Sequence, residues 1–253
     1  MTVTLKALVA KANALLEPEQ FQDYCPNGLQ VQGASNVAVL VSGVTASQAL
    51  IDRAVELNAD AVIVHHGYFW KGEDPCVVGI KQQRLKTLLE NNISLLAYHL
   101  PLDAHPELGN NTQLAKLLGV EITGGLQRGQ SRPVGNVGRL PGPMPVEQFV
   151  RQVAIKLGRE PMWIAGGAEI IETLAWCTGA AQSYIGDAVE QGVDLFLSGE
   201  ISEPTVHVAR ESAVHYVAAG HHATERYGIK ALAERLAQHF ELDHHFVDID
   251  NPV

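Results

Sequence analysis

Residues 61–67 place three β-branched apolar residues directly before two histidines and a glycine. The apolar residues, 62–64, predict a short strand that is buried on both faces, as in parallel sheets covered by helices. In such sheets, ligands bind beyond the carboxyl ends of the strands. The segment therefore predicts that His65 and His66 lie at a ligand-binding edge, although two buried structural histidines fit the same pattern.

Two further predicted strands, over residues 93–98 and 214–219, also run into polar side chains that can bind a metal ion. Those side chains belong to His99, Asp103, His221, His222 and Glu225. Nitrogen and oxygen ligands of this kind suit zinc, iron and manganese. Three such strand ends predict a metal site; the alternative is two unrelated histidine clusters that hold loop ends in place.

The predicted ligands of this site are His65, His66, Asp103, His221 and Glu225, with His99 as an additional ligand or a residue that supports one, and His222 in reserve. Adjacent residues of a strand point to opposite faces, so the two neighbouring histidines are expected to bind different ions. Asp103 follows Pro101 in a tight loop or a first helical turn, and is expected to bridge the two ions. The spacing of four between His221 and Glu225 places both on one side of a helix predicted over residues 223–239.

Two divalent cations held about 3.5–4 Å apart form a platform for hydrolysis, because one ion lowers the pKa of a shared water to about 7 and both stabilise developing charge. Three residues are candidates for proton transfer, chosen only because they lie near predicted ligands: His222, His105 and Tyr68. A purely structural metal site is the alternative. Structural sites are usually closed and rich in thiolates, which favours the open, catalytic type here.

The second half of the chain repeats patterns of the first. A glycine followed four residues later by a serine occurs in residues 42–47 and 178–183, and Ala-Val-Glu followed by an aspartate occurs in residues 54–60 and 188–194. These matches predict an α/β fold with two related domains from an internal duplication, with chance similarity as the alternative. The predicted domains are residues 1–125 with 220–253 and residues 126–219, and a Gly- and Pro-rich linker is expected over residues 124–145. Helical periodicity predicts helices over residues 5–16, 48–57, 81–91 and 146–157.

Composition limits the classes of partner and compartment. The formal net charge of −10 argues against a general binder of nucleic-acid phosphates, which would present a basic face. Three scattered cysteines without a CxxC motif fit a reducing cytosol and disfavour a thiolate zinc site. The first 17 residues predict an amphipathic helix and not a signal peptide, and no apolar run reaches the length of a membrane span. A cytoplasmic protein is expected.

Three segments resemble the Nif-three-like family, whose members are also labelled GTP cyclohydrolase I type two homologues. They are Val-His-His-Gly at residues 64–67, His-Leu-Pro-Leu-Asp at 99–103 and Gly-His-His-Ala-Thr-Glu at 220–225. Residues 26–31 and 42–45 are similar too, so the resemblance covers nearly the whole chain and is closest to the short bacterial form. In the first of these turns Pro26-Asn27 stands where the family more usually has Asp-Asn, and this leaves the role of the turn at Gly28 open.

The resemblance implies a dinuclear metal site, two related α/β domains and a ring-shaped homohexamer. It implies the same five ligands at residues 65, 66, 103, 221 and 225. The cyclohydrolase label implies that metal-activated water opens the imidazole ring of GTP with loss of formate. The resemblance identifies the residues of the site more closely than it identifies the substrate.

Two functions follow from these observations. The first is a hydrolase that uses two divalent cations to act on a purine nucleotide or a similar heterocycle. The second is a non-enzymatic metal-binding ring or assembly factor that recruits protein or DNA partners, although the acidic charge disfavours simple electrostatic DNA binding. No membrane partner is expected.

Overall fold

The computed structural model describes residues 1–253 and contains thirteen strands and nine α-helices. The strands are β1 Val3–Thr4, β2 Gly28–Val31, β3 Asn36–Val37, β4 Val39–Thr45, β5 Ala61–His66, β6 Ser94–Ala97, β7 Glu121–Gly125, β8 Asn136–Pro145, β9 Met162–Ile164, β10 Ile170–Cys177, β11 Leu195–Ser198, β12 His215–Ala218 and β13 Asp243–Phe246. The helices are α1 Leu5–Leu16, α2 Gln48–Glu56, α3 Gly79–Glu90, α4 Leu100–Asp103, α5 Asn110–Leu118, α6 Val146–Leu157, α7 Ile185–Gln191, α8 Glu203–Glu211 and α9 His221–Phe240. None of these helices carries an apolar stretch of the length that crossing a bilayer requires.

The chain divides into two compact units. The first unit comprises residues 1–108 and 228–250, and the second comprises residues 109–227 and 251–253. These limits differ from the predicted domains, which placed residues 109–125 and 220–227 in the first domain. The difference arises because apolar residues of both segments, including Leu114, Leu118 and Ala223, pack into the core of the second unit.

The first unit contains a five-stranded sheet in the order β13-β4-β5-β6-β2. The first four of these strands are parallel, and β2 pairs antiparallel with β6 at one edge. Successive residues of β5 alternate between two apolar cores: Ile63 packs in one with α1 and α9, and Val62 packs in the other with α2 and α3. Helices therefore cover both faces, as the run of β-branched residues predicts.

The second unit contains a six-stranded sheet in the order β7-β8-β10-β11-β12-β9. Its centre, β10-β11-β12, is parallel, and β9 pairs antiparallel with β12 at one edge. Leu195 and Leu197 of β11 face a core with α5 and α6, whereas Phe196 faces a core with α7 and α8. Each unit is thus a sheet between two helical layers, a mixed α/β architecture.

In both units, an aspartate just before one parallel strand accepts hydrogen bonds from the backbone at the start of the preceding parallel strand. The two strands are β4 and β5 in the first unit, and β10 and β11 in the second. Asp60 Oδ2 accepts hydrogen bonds from the backbone N–H groups of Ala38 and Val39, at 2.7 and 3.0 Å. Asp194 Oδ2 accepts from the N–H groups of Glu172 and Thr173, at 2.9 and 2.8 Å. These two aspartates are the ones that the sequence repeat matches.

Several predicted elements are confirmed nearly to the residue. Strand β5 ends at His66, α1 covers residues 5–16 and α6 covers residues 146–157. Helix α2 begins after Ser47, whose hydroxyl accepts a hydrogen bond from the N–H of Leu50. Such local signals, namely β-branched runs, helical periodicity and capping residues, are sufficient to place these elements.

The predicted linker over residues 124–145 is wrong. Those residues contain β8, which pairs with β7 on one side and with β10 on the other. Pairing with β7 involves only residues 136–139, so the prolines of the later part of β8 lie where the strand has a partner on one side only. Proline is tolerated there because an edge needs no N–H donor. A Cβ on Gly138 would come within 2.2 Å of the Glu121 carbonyl oxygen, so the close pairing of β7 and β8 requires a glycine at this position.

We expect Asp194→Ala to lower the free energy of unfolding by about 2 kcal/mol, because the substitution leaves part-buried backbone donors without their acceptor. Burial alone would raise the pKa of Asp194, but hydrogen bonds from Glu172 and Thr173 outweigh it and hold that pKa below the ordinary 3.8. The contribution is therefore complete above pH 3.8 and disappears as the pH falls through the lowered value. Urea unfolding at several pH values measures it.

The control for this experiment is Glu190→Ala, at an exposed position of the neighbouring helix α7. We expect its free energy of unfolding to stay within about 0.5 kcal/mol of the wild-type value. Equal losses in both variants, or a loss at Asp194 that persists unchanged in strong acid, would contradict the role assigned to this carboxylate.

Candidate metal centre

His65, the penultimate residue of β5, is completely buried and has a fixed tautomer. Its Nδ1 lies 2.9 Å from the carbonyl oxygen of Tyr98. Because a carbonyl oxygen only accepts hydrogen bonds, Nδ1 carries a proton, and Nε2 is the ring nitrogen that a cation would bind. Nε2 lies 3.5 Å from Asp103 Oδ1. A nitrogen lone pair and a carboxylate oxygen at this separation suit a shared cation.

Asp103 is buried at the end of the short helix α4, with 7% of its surface exposed. Pro101 occupies the first turn of that helix, where a proline is favoured because its missing N–H would have no helical partner. Strand β6 and α4 together thus carry the carboxylate to the end of β5. The sequence prediction that Asp103 belongs to a first helical turn is consistent with this geometry.

His66 is half-buried at the last position of β5, and its Nδ1 lies 3.1 Å from Thr45 Oγ1 on β4. The rings of His65 and His66 are 4.5 Å apart between centroids and inclined by 44°. One candidate ligand atom from each of His65, His66 and His99 lies within 4.8 Å of the other two. The structure therefore brings together the four first-unit residues that the sequence predicts: His65, His66, His99 and Asp103.

His99 is held by two residues that the sequence did not identify as functional. Its Nδ1 lies 2.7 Å from Asp23 Oδ1, and its backbone N–H donates to Asn27 Oδ1 at 2.7 Å. Asp23 Oδ2 also accepts from the N–H of Leu100 and from the side-chain amide of Asn27. The turn before Gly28, whose role the sequence left open, thus fixes the orientation of the His99 imidazole.

The carboxyl of Asp23 keeps its charge in this arrangement. Burial alone would raise its pKa, but the hydrogen bond and charge of His99 and the hydrogen bond of Asn27 outweigh burial and lower the pKa. A carboxylate hydrogen-bonded to a histidine fixes the ring tautomer, as in carboxylate–histidine–metal arrangements. For His99 the nitrogen that remains for a ligand is Nε2.

The second unit presents a separate group of ligands at the start of α9. His221 Nε2 lies 3.1 Å from Glu225 Oε2, as expected for residues spaced by four on a helix. His221 Nδ1 lies 2.7 Å from Glu200 Oε1, directly after β11. Glu225 is almost completely buried, with 3% of its surface exposed. Glu200 was missed as a functional residue, although the sequence repeat aligns residues 198–200 with the His65–His66 strand end.

Two glycines make room for this group. A Cβ on Gly179, whose φ is +69°, would come within 2.1 Å of Glu225 Oε1. A Cβ on Gly199 would come within 2.9 Å of the His221 backbone nitrogen. Both glycines follow strands of the parallel sheet, β10 and β11, so the small residues let the ligands approach the strand ends closely.

The environment of His221 favours a positive charge. Burial alone would lower its pKa, but hydrogen bonds to Glu225 and Glu200 and the charges of these carboxylates outweigh burial and raise the pKa to about 9. A proton on Nε2 and a divalent cation bound to Nε2 compete for the same lone pair. The site therefore has the charge and the donor atoms that suit a cation.

The three candidates for proton transfer lie in different surroundings. The hydroxyl of Tyr68 donates to the Ala46 carbonyl oxygen at 2.8 Å, and burial raises the pKa of this phenol. His105 Nδ1 accepts from the N–H groups of Glu107 and Leu108 in a local turn. His222 is half-buried in the first turn of α9, beside His221.

For protein stripped of metal by a chelator, we expect the free energy of unfolding to fall as the pH rises from 6.5 to 9. The raised pKa of His221 means that the folded state holds its proton more tightly than the unfolded chain, so the stabilisation is complete below pH 6.5 and is lost as the pH passes about 9. Urea unfolding at fixed pH values measures this slope. Glu200→Gln removes one of the two charges, so the slope should become shallower; an unchanged slope would contradict the assignment.

Comparisons with known proteins agree with the resemblance found in the sequence. The family model described as Duf34/NIF3 (NGG1p interacting factor 3) matches residues 3–252. A curated relative from Pseudomonas aeruginosa, named GTP cyclohydrolase 1 type 2 homolog, is 57% identical over 252 residues, covering all of both chains.

Solved structures show the same fold. The structure named protein ybgI, whose function is given as unknown, superposes with a TM-score of 0.96 at 52% identity, covering 99% of this chain and 100% of that one. The structure of TTHA1606 from Thermus thermophilus superposes with a TM-score of 0.90 at 34% identity, covering 99% of this chain and 100% of that one.

Proposed function

The chain belongs to the Duf34/NIF3 family, and we propose that it holds two divalent cations and uses them to hydrolyse a purine nucleotide or a similar heterocycle. One observation carries the proposal: in each unit a histidine ring nitrogen lies beside a buried carboxylate oxygen. The pairs are His65 Nε2 with Asp103 Oδ1 at 3.5 Å and His221 Nε2 with Glu225 Oε2 at 3.1 Å. Burial of such pairs favours cation binding, since a buried carboxylate needs a compensating positive charge.

The residues that would hold the cations are His65, His66, Asp103, His221 and Glu225. Histidine nitrogen and carboxylate oxygen without thiolate suit zinc, iron or manganese in an open site. Bound there, divalent cations would supply a hydroxide-like water near neutral pH and stabilise negative charge on the substrate.

The remaining contacts orient the ligands. The Tyr98 carbonyl oxygen fixes the tautomer of His65, and Glu200 accepts the Nδ1 proton of His221 so that Nε2 is the ligating nitrogen. Partners of this kind raise the basicity of a ligand and hold its ring in place. Mutation of such residues typically weakens metal binding by about 10–100-fold.

A purine nucleotide is proposed as the substrate because the curated relatives are named GTP cyclohydrolase 1 type 2 homolog. One activated water opens the imidazole ring of GTP to a formamide, and hydrolysis of that formamide by a second water releases formate. His222 is the proton-transfer candidate next to a proposed ligand, His221, whereas the Tyr68 hydroxyl is engaged by a backbone carbonyl.

The metal content of the purified protein tests the first part of this proposal. We expect about two metal ions per chain by elemental analysis, as two-metal hydrolytic sites require. In Asp103→Ala we expect both ions to be lost, because this carboxylate is proposed to bridge them, and in His66→Ala we expect at least one to be lost. The control is His207→Ala, an exposed histidine of α8, which should keep the wild-type content. Little metal in any sample, even after reconstitution with zinc, iron or manganese, would overturn the proposal.

Formate release tests the second part. We expect metal-loaded wild-type protein to release formate from GTP, and we expect His66→Ala and chelator-treated protein to release none above background. Absence of formate at every metal loading, with two ions bound, would exclude GTP as the substrate.

A second function is proposed because exposed apolar residues cluster around the start of α3. Val77, Val78 and Ile80 are 50%, 66% and 68% exposed. An apolar surface of this kind is typical of contacts between proteins, and it fits a homohexameric ring that acts as an assembly factor or recruits protein or DNA partners. Light scattering would establish the number of chains. A flat salt dependence of DNA affinity would count against a DNA partner.

The matching topology of the two units supports an internal duplication. Each unit has three parallel strands with an antiparallel strand paired to the third, β4-β5-β6-β2 and β10-β11-β12-β9. Asp60 and Asp194 accept equivalent backbone hydrogen bonds at positions that the sequence repeat aligns. Shared ancestry explains both the topology and the aspartates, whereas chance similarity leaves their agreement unexplained.

A further inference from the structure

Trp70 lies against two histidines of the first unit and outside its apolar cores. The centroid of its ring system is 5.0 Å from the ring of His99 and 6.1 Å from the ring of His66. Tyr24 is a second aromatic neighbour of His99, at 6.5 Å, and 61% of its surface is exposed. Neither aromatic side chain belongs to the clusters that form the cores of this unit. Core packing therefore does not account for their positions.

Both aromatic residues are held in place by backbone contacts. The indole Nε1–H of Trp70 donates to the Gly67 carbonyl oxygen at 3.2 Å, and its backbone N–H donates to Glu73 Oε2 at 3.0 Å. The N–H of Lys71 donates to the Tyr24 carbonyl oxygen at 2.6 Å, which joins the two segments. The Trp70 side chain, fixed in this way, loses little conformational entropy when a ligand binds.

Gln30 connects the same two segments a second time. Its side-chain oxygen accepts from the N–H of Tyr68 at 2.7 Å, and its amide donates to the carbonyl oxygens of Tyr68 and Pro26. The segment before Gly28 and the segment after His66 are thus cross-linked twice, once between Tyr24 and Lys71 and once through Gln30. They form one preorganised surface beside the proposed ligands.

His99 adds a polar group to this surface. Because its Nδ1 is engaged by Asp23, Nε2 is the nitrogen left for a ligand, and the ring lies within 5.2 Å of His65 between centroids. Small-molecule sites typically combine aromatic walls with a few fixed polar groups of this kind.

We propose that Trp70 and Tyr24 bind the planar ring of a nitrogen heterocycle and that His99 hydrogen-bonds to the edge of that ring. Aromatic side chains stack on the π-face of any nucleobase, so they bind planar rings without needing a charge on them. This proposal rests on the proposed hydrolase function, because it assumes that the substrate binds beside the proposed ligands. In it, these residues contact the ring of the substrate and not its phosphates.

The test measures binding of guanosine to the metal-loaded protein by isothermal titration calorimetry. Guanosine lacks phosphate, so its affinity does not depend on phosphate–metal contacts. We expect Trp70→Ala to raise the Kd at least tenfold, equivalent to about 1.4 kcal/mol, and Tyr24→Ala to raise it severalfold. The matched control is Trp163→Ala, a half-buried tryptophan on β9 of the second unit, which should leave the Kd within twofold.

A conservative variant guards against loss of folding. Trp70→Phe keeps an aromatic face, so we expect a Kd within about threefold of wild type. Guanosine should quench the tryptophan fluorescence of the wild type and of Trp163→Phe, and this quenching should be lost in Trp70→Phe. Undetectable guanosine binding by the wild type at millimolar concentration, or an unchanged Kd in Trp70→Ala with normal metal content, would overturn the proposal.

Failure of this proposal and failure of the hydrolase proposal give different results. Guanosine binding that depends on Trp70, without formate release from GTP, contradicts GTP hydrolysis and supports the ring-binding surface. Formate release by Trp70→Ala at the wild-type kcat and KM supports hydrolysis and contradicts the ring-binding surface.

Discussion

His65 has no exposed surface, so both of its ring nitrogens need partners inside the protein. The Tyr98 carbonyl oxygen supplies one partner, and it is in reach because β5 and β6 run parallel in register from Ala61 with Ser94 to Val64 with Ala97. The other nitrogen then faces the carboxylate of Asp103. A shift of β5 by one residue would turn every side chain to the opposite face and leave a buried imidazole unpaired. Strand register and ligand geometry are therefore set together.

Local sequence was sufficient for the elements that carry the candidate ligands. The β-branched run of β5 predicts a buried strand and its end at His66, and the spacing of His221 and Glu225 predicts that both lie on one side of α9. These features depend on residues within one or two helical turns or along one strand. The approach of the His65 and Asp103 side chains follows from a general rule of sheets, because parallel strands end at the same edge.

The contacts that local sequence did not reveal join distant parts of the chain. Asp23 binds His99 across 76 residues, and Glu200 binds His221 across 21 residues, so neither partnership leaves a pattern in either segment. Strand β8 was mistaken for a linker because its glycines and prolines are typical of loops. Only its position in the sheet, with a partner on one side beyond residue 139, makes that composition compatible with a strand.

The sheet of the first unit is completed by a strand that follows the second unit in the chain. Strand β13 pairs with β4, and Ile229, Leu232 and Leu236 of α9 fill the core beneath that sheet. The ribosome releases residues 109–227, the whole body of the second unit, before any of these residues. The second unit can therefore fold first, although it comes later in the chain. Until α9 emerges, α1 alone covers this face of the earlier sheet, so part of its apolar surface stays exposed, and exposed apolar surface of this kind favours aggregation of a nascent chain.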